Sequence, residues 1–181
     1  HNNYDFKVAS RRLKHYVNRA KQIFKVYDID SVLIAITGDL INSDRRLDEM
    51  LNMSTNRSKA VFLAVDLLQQ IIFDVGQDYS VSVACVTGNE SRLKQDWGWS
   101  DFMASDNYDF IIFKILQHFF KKTKVQFVDD DPTECVIKVA GQNLLLLHGN
   151  GSCSQCRRTK FIIITRKRKF YYAIRKKCQS N

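Results

Sequence analysis

The chain has 181 residues, 45% hydrophobic and 26% charged, which suits one globular domain with at most a short extension. One proline and seven glycines exclude collagen-like and low-complexity classes. The net charge of +9 is unevenly placed: residues 1–150 hold 18 Lys and Arg against 19 Asp and Glu, while residues 151–181 hold 10 basic residues and no acidic one, so only the tail has the composition of a nucleic-acid-binding surface.

The opening His1-Asn2-Asn3-Tyr4 carries neither the charged nor the apolar part of a signal peptide, and none is expected. From there, Val8, Leu13, Tyr16, Val17, Ala20, Ile23, Phe24 and Tyr27 recur mostly at steps of three and four, predicting an amphipathic helix over 8–27. The continuous apolar run 31–36 predicts a short strand buried on both faces, closed by the turn signal Thr37-Gly38-Asp39. A second helix is predicted over 55–74, capped by Ser54, Thr55 or Asn56, with Val61, Phe62, Val65, Leu67, Leu68, Ile71 and Ile72 on its apolar side. Another buried strand is expected at 79–86, running into Thr87-Gly88-Asn89-Glu90. Residues 91–107 read as irregular, and 108–121 as a third helix whose closing Lys121-Lys122 suits the helix dipole. Short strands follow at 125–128, 135–139 and 143–147, separated by the acidic turn ending at Pro132 and by Gly141-Gln142.

Helices alternating with strands imply an α/β fold with parallel βαβ units in layers. No apolar run reaches the ~18 residues of a bilayer span, so no membrane partner is expected. Cys85 and Cys135 lie in strand-like surroundings and read as core residues. Cys153-Ser-Gln-Cys156 is a lone CxxC; with Cys178 and no tail histidine it falls short of the four ligands of a structural zinc site. Without a paired cysteine framework, a reducing, cytoplasmic setting is expected.

Ligands in α/β sheets sit beyond the carboxyl ends of the strands. Three predicted strands end there in Gly38-Asp39, in Gly88-Asn89-Glu90 and in His148-Gly149, delivering a carboxylate, an amide and an imidazole. Asp, Asn and Gly at one strand end are usually a turn; three such ends in α/β order point to a site. Oxygen and nitrogen donors of this kind suit Mn, Fe or Zn, manganese being the expected ion, and a bridging carboxylate can hold two.

Thr37-Gly38-Asp39-Leu40-Ile41, Thr87-Gly88-Asn89-Glu90 and Leu145-Leu146-Leu147-His148-Gly149 resemble three ordered motifs of the calcineurin-like metallophosphoesterases, nearest to their DNA-repair nuclease branch. The resemblance covers residues 1 to about 150. It implies a partial, layered metallophosphoesterase-like β-sheet core flanked by helices, and a hydrolase acting on phosphodiester bonds, those of DNA included. It further implies a two-metal site in which Asp39 bridges both ions, Asn89 and His148 ligate one, and His1, standing where the family has the histidine of its first Asp-x-His motif, ligates the other. The departures are specific. Glu90 takes the place of the family's leaving-group histidine, a poor general acid beside cations that keep it ionised. The late Gly-His-x-His motif is absent, and the first-motif aspartate is not in the chain.

The tail, residues 151–181, is expected as a basic extension. Arg157, Arg158, Arg166, Lys167, Arg168 and Lys169 flank the strand-like run 161–165, and basic residues interleaved with aromatics can grip single-stranded nucleic acid. Its abrupt composition is also what a reading-frame change or a truncation produces. Beside the enzyme reading stand two others: a non-catalytic nucleic-acid-binding module that uses the tail, and an inactive fragment of a longer enzyme.

Overall fold

A computed structural model describes residues 5–44, 47–93, 105–128 and 131–148, and the backbone of 161–165. Helix α1 spans Phe6–Val26; the carboxylate of Asp5 caps it by accepting from the Val8 N–H at 2.8 Å. It leads into strand β1, Ser31–Ile36. A short helix α2, Leu47–Leu51, precedes α3, Arg57–Asp78, whose cap is Asn56, accepting from the Lys59 N–H at 2.9 Å. Strand β2, Ser80–Cys85, follows, then α4, Tyr108–Phe120, β3, Gln126–Val128, β4, Glu134–Val139, β5, Gln142–Leu147, and β6, Phe161–Thr165.

The main sheet has the order β3-β2-β1-β6. β1 pairs parallel with β2, and β2 with β3, as the alternation of helix and strand predicts. β4 and β5 do not extend that sheet. They form a separate antiparallel pair around a turn where Ala140 and Gly141 both take positive φ, and β6 lies antiparallel against β1. The fold is therefore mixed α/β: a small parallel sheet, and an antiparallel pair in a layer of its own.

The apolar runs of β1 and β2 follow from burial on both faces. Val32, Ile34 and Ile36 with Val81, Val83 and Cys85 point into a core shared with α1, α3 and α4. Leu33, Ala35, Ala84 and Val86 face the other way and pack against Cys135, Ile137 and Leu146 of the β4–β5 pair. Burial in β4 alternates, with Cys135 and Ile137 inward and Val136 and Lys138 exposed. Strands covered on one side read with period two, and strands covered on both sides read as continuous apolar runs. Cys85 and Cys135 are buried in the core, as expected, and burial pushes the Cys85 thiol well up.

By length and composition α3 is the one helix among the described residues that passes for a membrane span, although Asp66 and Asp74 interrupt its apolar residues. Its Val61, Val65, Leu68, Ile71, Ile72 and Val75 are packed in the core, as in the central helix of a layered fold. Phe62, expected on that apolar side, is exposed, as are Ile23 of α1 and Tyr27, which caps its C-terminus.

Candidate functional site

The site lies where the register puts it. Ile36 pairs with Cys85, so β1 and β2 stop side by side, and the Val86 N–H carries the ladder one step further to the Ile36 carbonyl at 2.9 Å. The two loops leaving them touch. A Cβ on Gly88 would stand 2.1 Å from Asp39 Oδ1 and 2.4 Å from the Asp39 nitrogen, and one on Gly38 would stand 2.4 Å from the Gly88 nitrogen. Only glycine permits this approach. The chain at Gly38 and Asp39 also takes positive φ, +81° and +56°, a conformation that strains a residue with a side chain and that tends to persist at functional positions.

Into this junction β5 delivers His148. Its Nδ1 lies 2.7 Å from the Thr37 carbonyl, which only accepts, so Nδ1 carries a proton. Its Nε2 lies 3.1 Å from Asp39 Oδ2 and 3.1 Å from Asn89 Oδ1. The Asn89 amide is turned this way because its Nδ2 donates to Glu90 Oε1 at 2.5 Å. Asp39 Oδ1 in turn accepts the Glu90 N–H at 2.9 Å. Nε2 thus faces two acceptor oxygens. That arrangement is favourable in two states: an imidazolium sharing its Nε2 proton with both oxygens, or a neutral imidazole whose lone pair joins the oxygens around a cation. Burial pulls the His148 pKa down, but the Asp39 carboxylate and the Thr37 carbonyl outweigh it, and the net shift is upward.

The donor separations suit a metal. Two ligands at right angles around an ion with ~2.1 Å bonds stand about 3.0 Å apart, close to the 3.1 Å found on each side of Nε2. The Nδ1 contact to a backbone carbonyl is the usual outer-shell device that orients a ligating histidine. Among the described residues no group of three or more His, Cys, Asp and Glu side chains is placed to hold a metal ion; the cluster contributes two such donors, Asp39 and His148, plus the Asn89 amide. A divalent ion held there would take these three donors and would need solvent or substrate for its other positions.

Of the residues singled out in the sequence, Asp39, Asn89 and His148 come together. Glu90 is beside them, its carboxylate accepting a hydrogen bond from the Asn89 amide. His1 and the basic set Arg157, Arg158, Arg166, Lys167, Arg168 and Lys169 lie outside the described residues, as do Cys153, Cys156 and Cys178.

Several supporting residues gave no signal in the sequence. Asp109, at the start of α4, is fully buried beneath the two loops. Its Oδ2 accepts the N–H groups of Asp39 and Gly88, both at 2.9 Å; its Oδ1 accepts the Leu40 N–H at 3.0 Å and the Ser91 hydroxyl at 2.7 Å. Burial raises its pKa, against the pull of these four donors. Asn107 caps α4 through the Asp109 N–H and donates to the Gly88 carbonyl, each at 2.8 Å. Arg57, the first residue of α3, is buried; it reaches Asp44 Oδ1 at 2.9 Å and the carbonyls of Glu90 and Arg92 at 3.0 and 2.8 Å, and stacks on the Tyr108 ring.

A cavity of about 380 Å³ opens beside Asp39 between α1 and α3, lined by Leu13, Leu40, Ala64 and Leu67 among others, with Asn42 and Ser54 as polar members. A larger one, about 720 Å³, lies at the opposite ends of β1 and β2, around Ser31, Ser80 and Lys138, away from the cluster. Comparison with protein-family models, with curated proteins and with solved structures returns no match.

Proposed function

We propose that residues 1–150 form the body of a metallophosphoesterase-like domain that hydrolyses phosphodiester bonds with the help of a divalent metal, manganese first, and that the basic segment 151–181, whose 161–165 stretch joins the main sheet as β6, contributes phosphate contacts to a nucleic-acid substrate such as DNA. One observation carries the reading: three loops from three different strands bring Asp39 Oδ2, Asn89 Oδ1 and His148 Nε2 to one point, with Nε2 3.1 Å from each oxygen. The order of the motifs, Gly38-Asp39, Gly88-Asn89 and His148, supports the resemblance to the calcineurin-like family, and the three-layer arrangement around β1 and β2 is compatible with it.

In this reading Asp39, Asn89 and His148 hold the ion, which supplies charge to a phosphoryl oxygen and lowers the pKa of water. The chain's own contribution is placement. Thr37 fixes the histidine tautomer, Glu90 fixes the amide, and the Gly38–Gly88 contact fixes the distance between the loops. The cavity beside Asp39 gives room for a group esterified to phosphorus. Glu90 in place of the family's histidine leaves leaving-group protonation to solvent, so turnover is expected to be slow and to favour esters with acidic leaving groups.

The test is a manganese titration of the full chain followed by calorimetry, with bis(4-nitrophenyl) phosphate as substrate. Saturable binding and hydrolysis that both disappear in Asp39→Ala and His148→Ala support the proposal. Failure of the wild-type chain to bind manganese overturns it. Salt-sensitive DNA binding that is lost when Arg157, Arg158, Arg166, Lys167, Arg168 and Lys169 are replaced by glutamine, with metal-independent behaviour and no turnover, replaces it with the binding-module reading.

A further inference from the structure

The cluster needs two loops, from β1 and β2, held in one relative position; the Glu90 N–H donates directly from one to the Asp39 carboxylate on the other. A further connection runs through a single carboxylate from a third element. Asp109 stands in the first turn of α4, 70 residues from Asp39 and 21 from Gly88 along the chain. Its two oxygens accept four hydrogen bonds. Two come from the first loop, the N–H groups of Asp39 and Leu40, and two from the second, the Gly88 N–H and the Ser91 hydroxyl. Each oxygen takes one donor from each loop, so neither loop can slide without breaking a bond at both oxygens. Ser91 adds a cross-link of its own by accepting the Ile41 N–H at 3.2 Å.

We propose that Asp109 is a positioning residue for the cluster: its carboxylate clamps the β1 and β2 loops together and so sets the separation of Asp39 and Asn89 around His148. The role needs a carboxylate. All four partners donate, and only a group with two acceptor oxygens satisfies them together. Asparagine has the same shape, but its NH2 would face two N–H or O–H donors with no lone pair. The buried backbone N–H groups left on that side would then open the loops to find other partners. The four bonds stand whatever occupies the site; the consequence for metal affinity rests on the function proposed above.

The experiment compares Asp109→Asn with Val75→Ala, a core truncation in α3 that lowers stability without touching either loop. Manganese affinity by calorimetry, melting temperature, and the amide proton shifts of Asp39, Leu40 and Gly88 by NMR are measured for each. Asp109→Asn is expected to weaken manganese binding tenfold or more and to move all three amide protons upfield. Val75→Ala is expected to leave affinity within twofold and the three amides in place despite its lower melting temperature. Ser91→Ala removes one of the four donors and is expected to cost two- to fivefold in affinity, which keeps the test available should Asp109→Asn not fold. Unchanged affinity in Asp109→Asn, or a loss matched by Val75→Ala, overturns the proposal. If the wild-type chain binds no manganese, the functional reading fails, and the amides decide the clamp alone: three shifts moving together uphold it, and three unmoved shifts end it.

Discussion

Gly88→Ala is the smallest change that tests whether the two strand-end loops touch. The added methyl would sit 2.1 Å from Asp39 Oδ1, 2.8 Å from its Cγ and 2.4 Å from its backbone nitrogen. The neighbour is partly backbone, so rotating the carboxylate away is not enough and the loop itself must move. Rotation breaks the Glu90 N–H bond to Oδ1, worth about 1.5–3 kcal/mol as a bond to a charged group. Forcing atoms into a filled space costs a further ~1–3 kcal/mol. Together that is roughly 2.5–6 kcal/mol, or a fall of about 5–24 °C in melting temperature for a chain of this size. Gly141→Ala is the contrasting control: Gly141 has a positive φ of +81°, which Gly88 lacks, but nothing lies within 4 Å of its added Cβ, so its loss is confined to backbone strain, about 1 kcal/mol. Thermal denaturation by circular dichroism reads both, and a manganese titration reads the site. If Gly88→Ala melts within 2–4 °C of the wild type, the margin of one kcal/mol, and binds manganese as tightly, the loops are not in contact and the geometry argued for Asp39 falls with them.

Further expectations follow from the same coordinates. Gly76→Ala should stabilise the chain by about 0.5–1 kcal/mol, because Gly76 sits within α3 and its added Cβ meets only Val125 and Val81 methyls at 3.8 and 4.0 Å; a higher melting temperature with unchanged metal binding checks this. Arg57→Lys should cost about 3 kcal/mol, since one ammonium cannot span Asp44 and the carbonyls of Glu90 and Arg92 as the guanidinium fork does; chemical denaturation measures it, and a loss under 1 kcal/mol would contradict the role given to Arg57. The raised His148 pKa gives a pH signature in chelator. Folding binds the imidazole proton more tightly than the unfolded chain does, so this contribution is complete below the unfolded value of about 6.5 and disappears as pH climbs through the higher folded value. The stability advantage of wild type over His148→Gln should therefore shrink with rising pH across that window, while manganese affinity, which competes with the proton, should rise.

The parts of the fold legible in the sequence are those whose cause is local. Strand β1 was readable because burial on both faces demands an unbroken apolar run, and the start of α3 to within the three cap candidates Ser54, Thr55 and Asn56, of which the structure uses Asn56. The separate layer of β4 and β5 was not readable as such, although the turn at Gly141 was: whether a hairpin extends a sheet or crosses its face depends on which apolar surface the sheet leaves uncovered. Helix α2 has five residues, too few for a periodic signal.

The cluster divides in the same way. Asp39, Asn89 and His148 could be named because each stands directly after a strand beside a glycine, and strand ends in an α/β sheet converge. Asp109 has no such marker. The structure shows an ordinary helix start there, with Asn107 capping α4 and Asp109 in its first turn, and nothing in the sequence pattern sets Asp109 apart from other first-turn carboxylates. The Asp109 carboxylate is directed by tertiary structure: α4 packs so that its N-terminus ends beneath the loops, where four donors cross-link residues 39–40 to residues 88–91. Ligands are set by where a chain can reach, and their support by where a second chain segment happens to arrive. A one-dimensional pattern records the first and not the second. Substitutions at Asn107, Asp109 and Arg57 should for that reason alter metal affinity and loop geometry together, whereas Asp39→Ala and His148→Ala should remove metal binding and leave the amides of Leu40 and Gly88 hydrogen-bonded to Asp109.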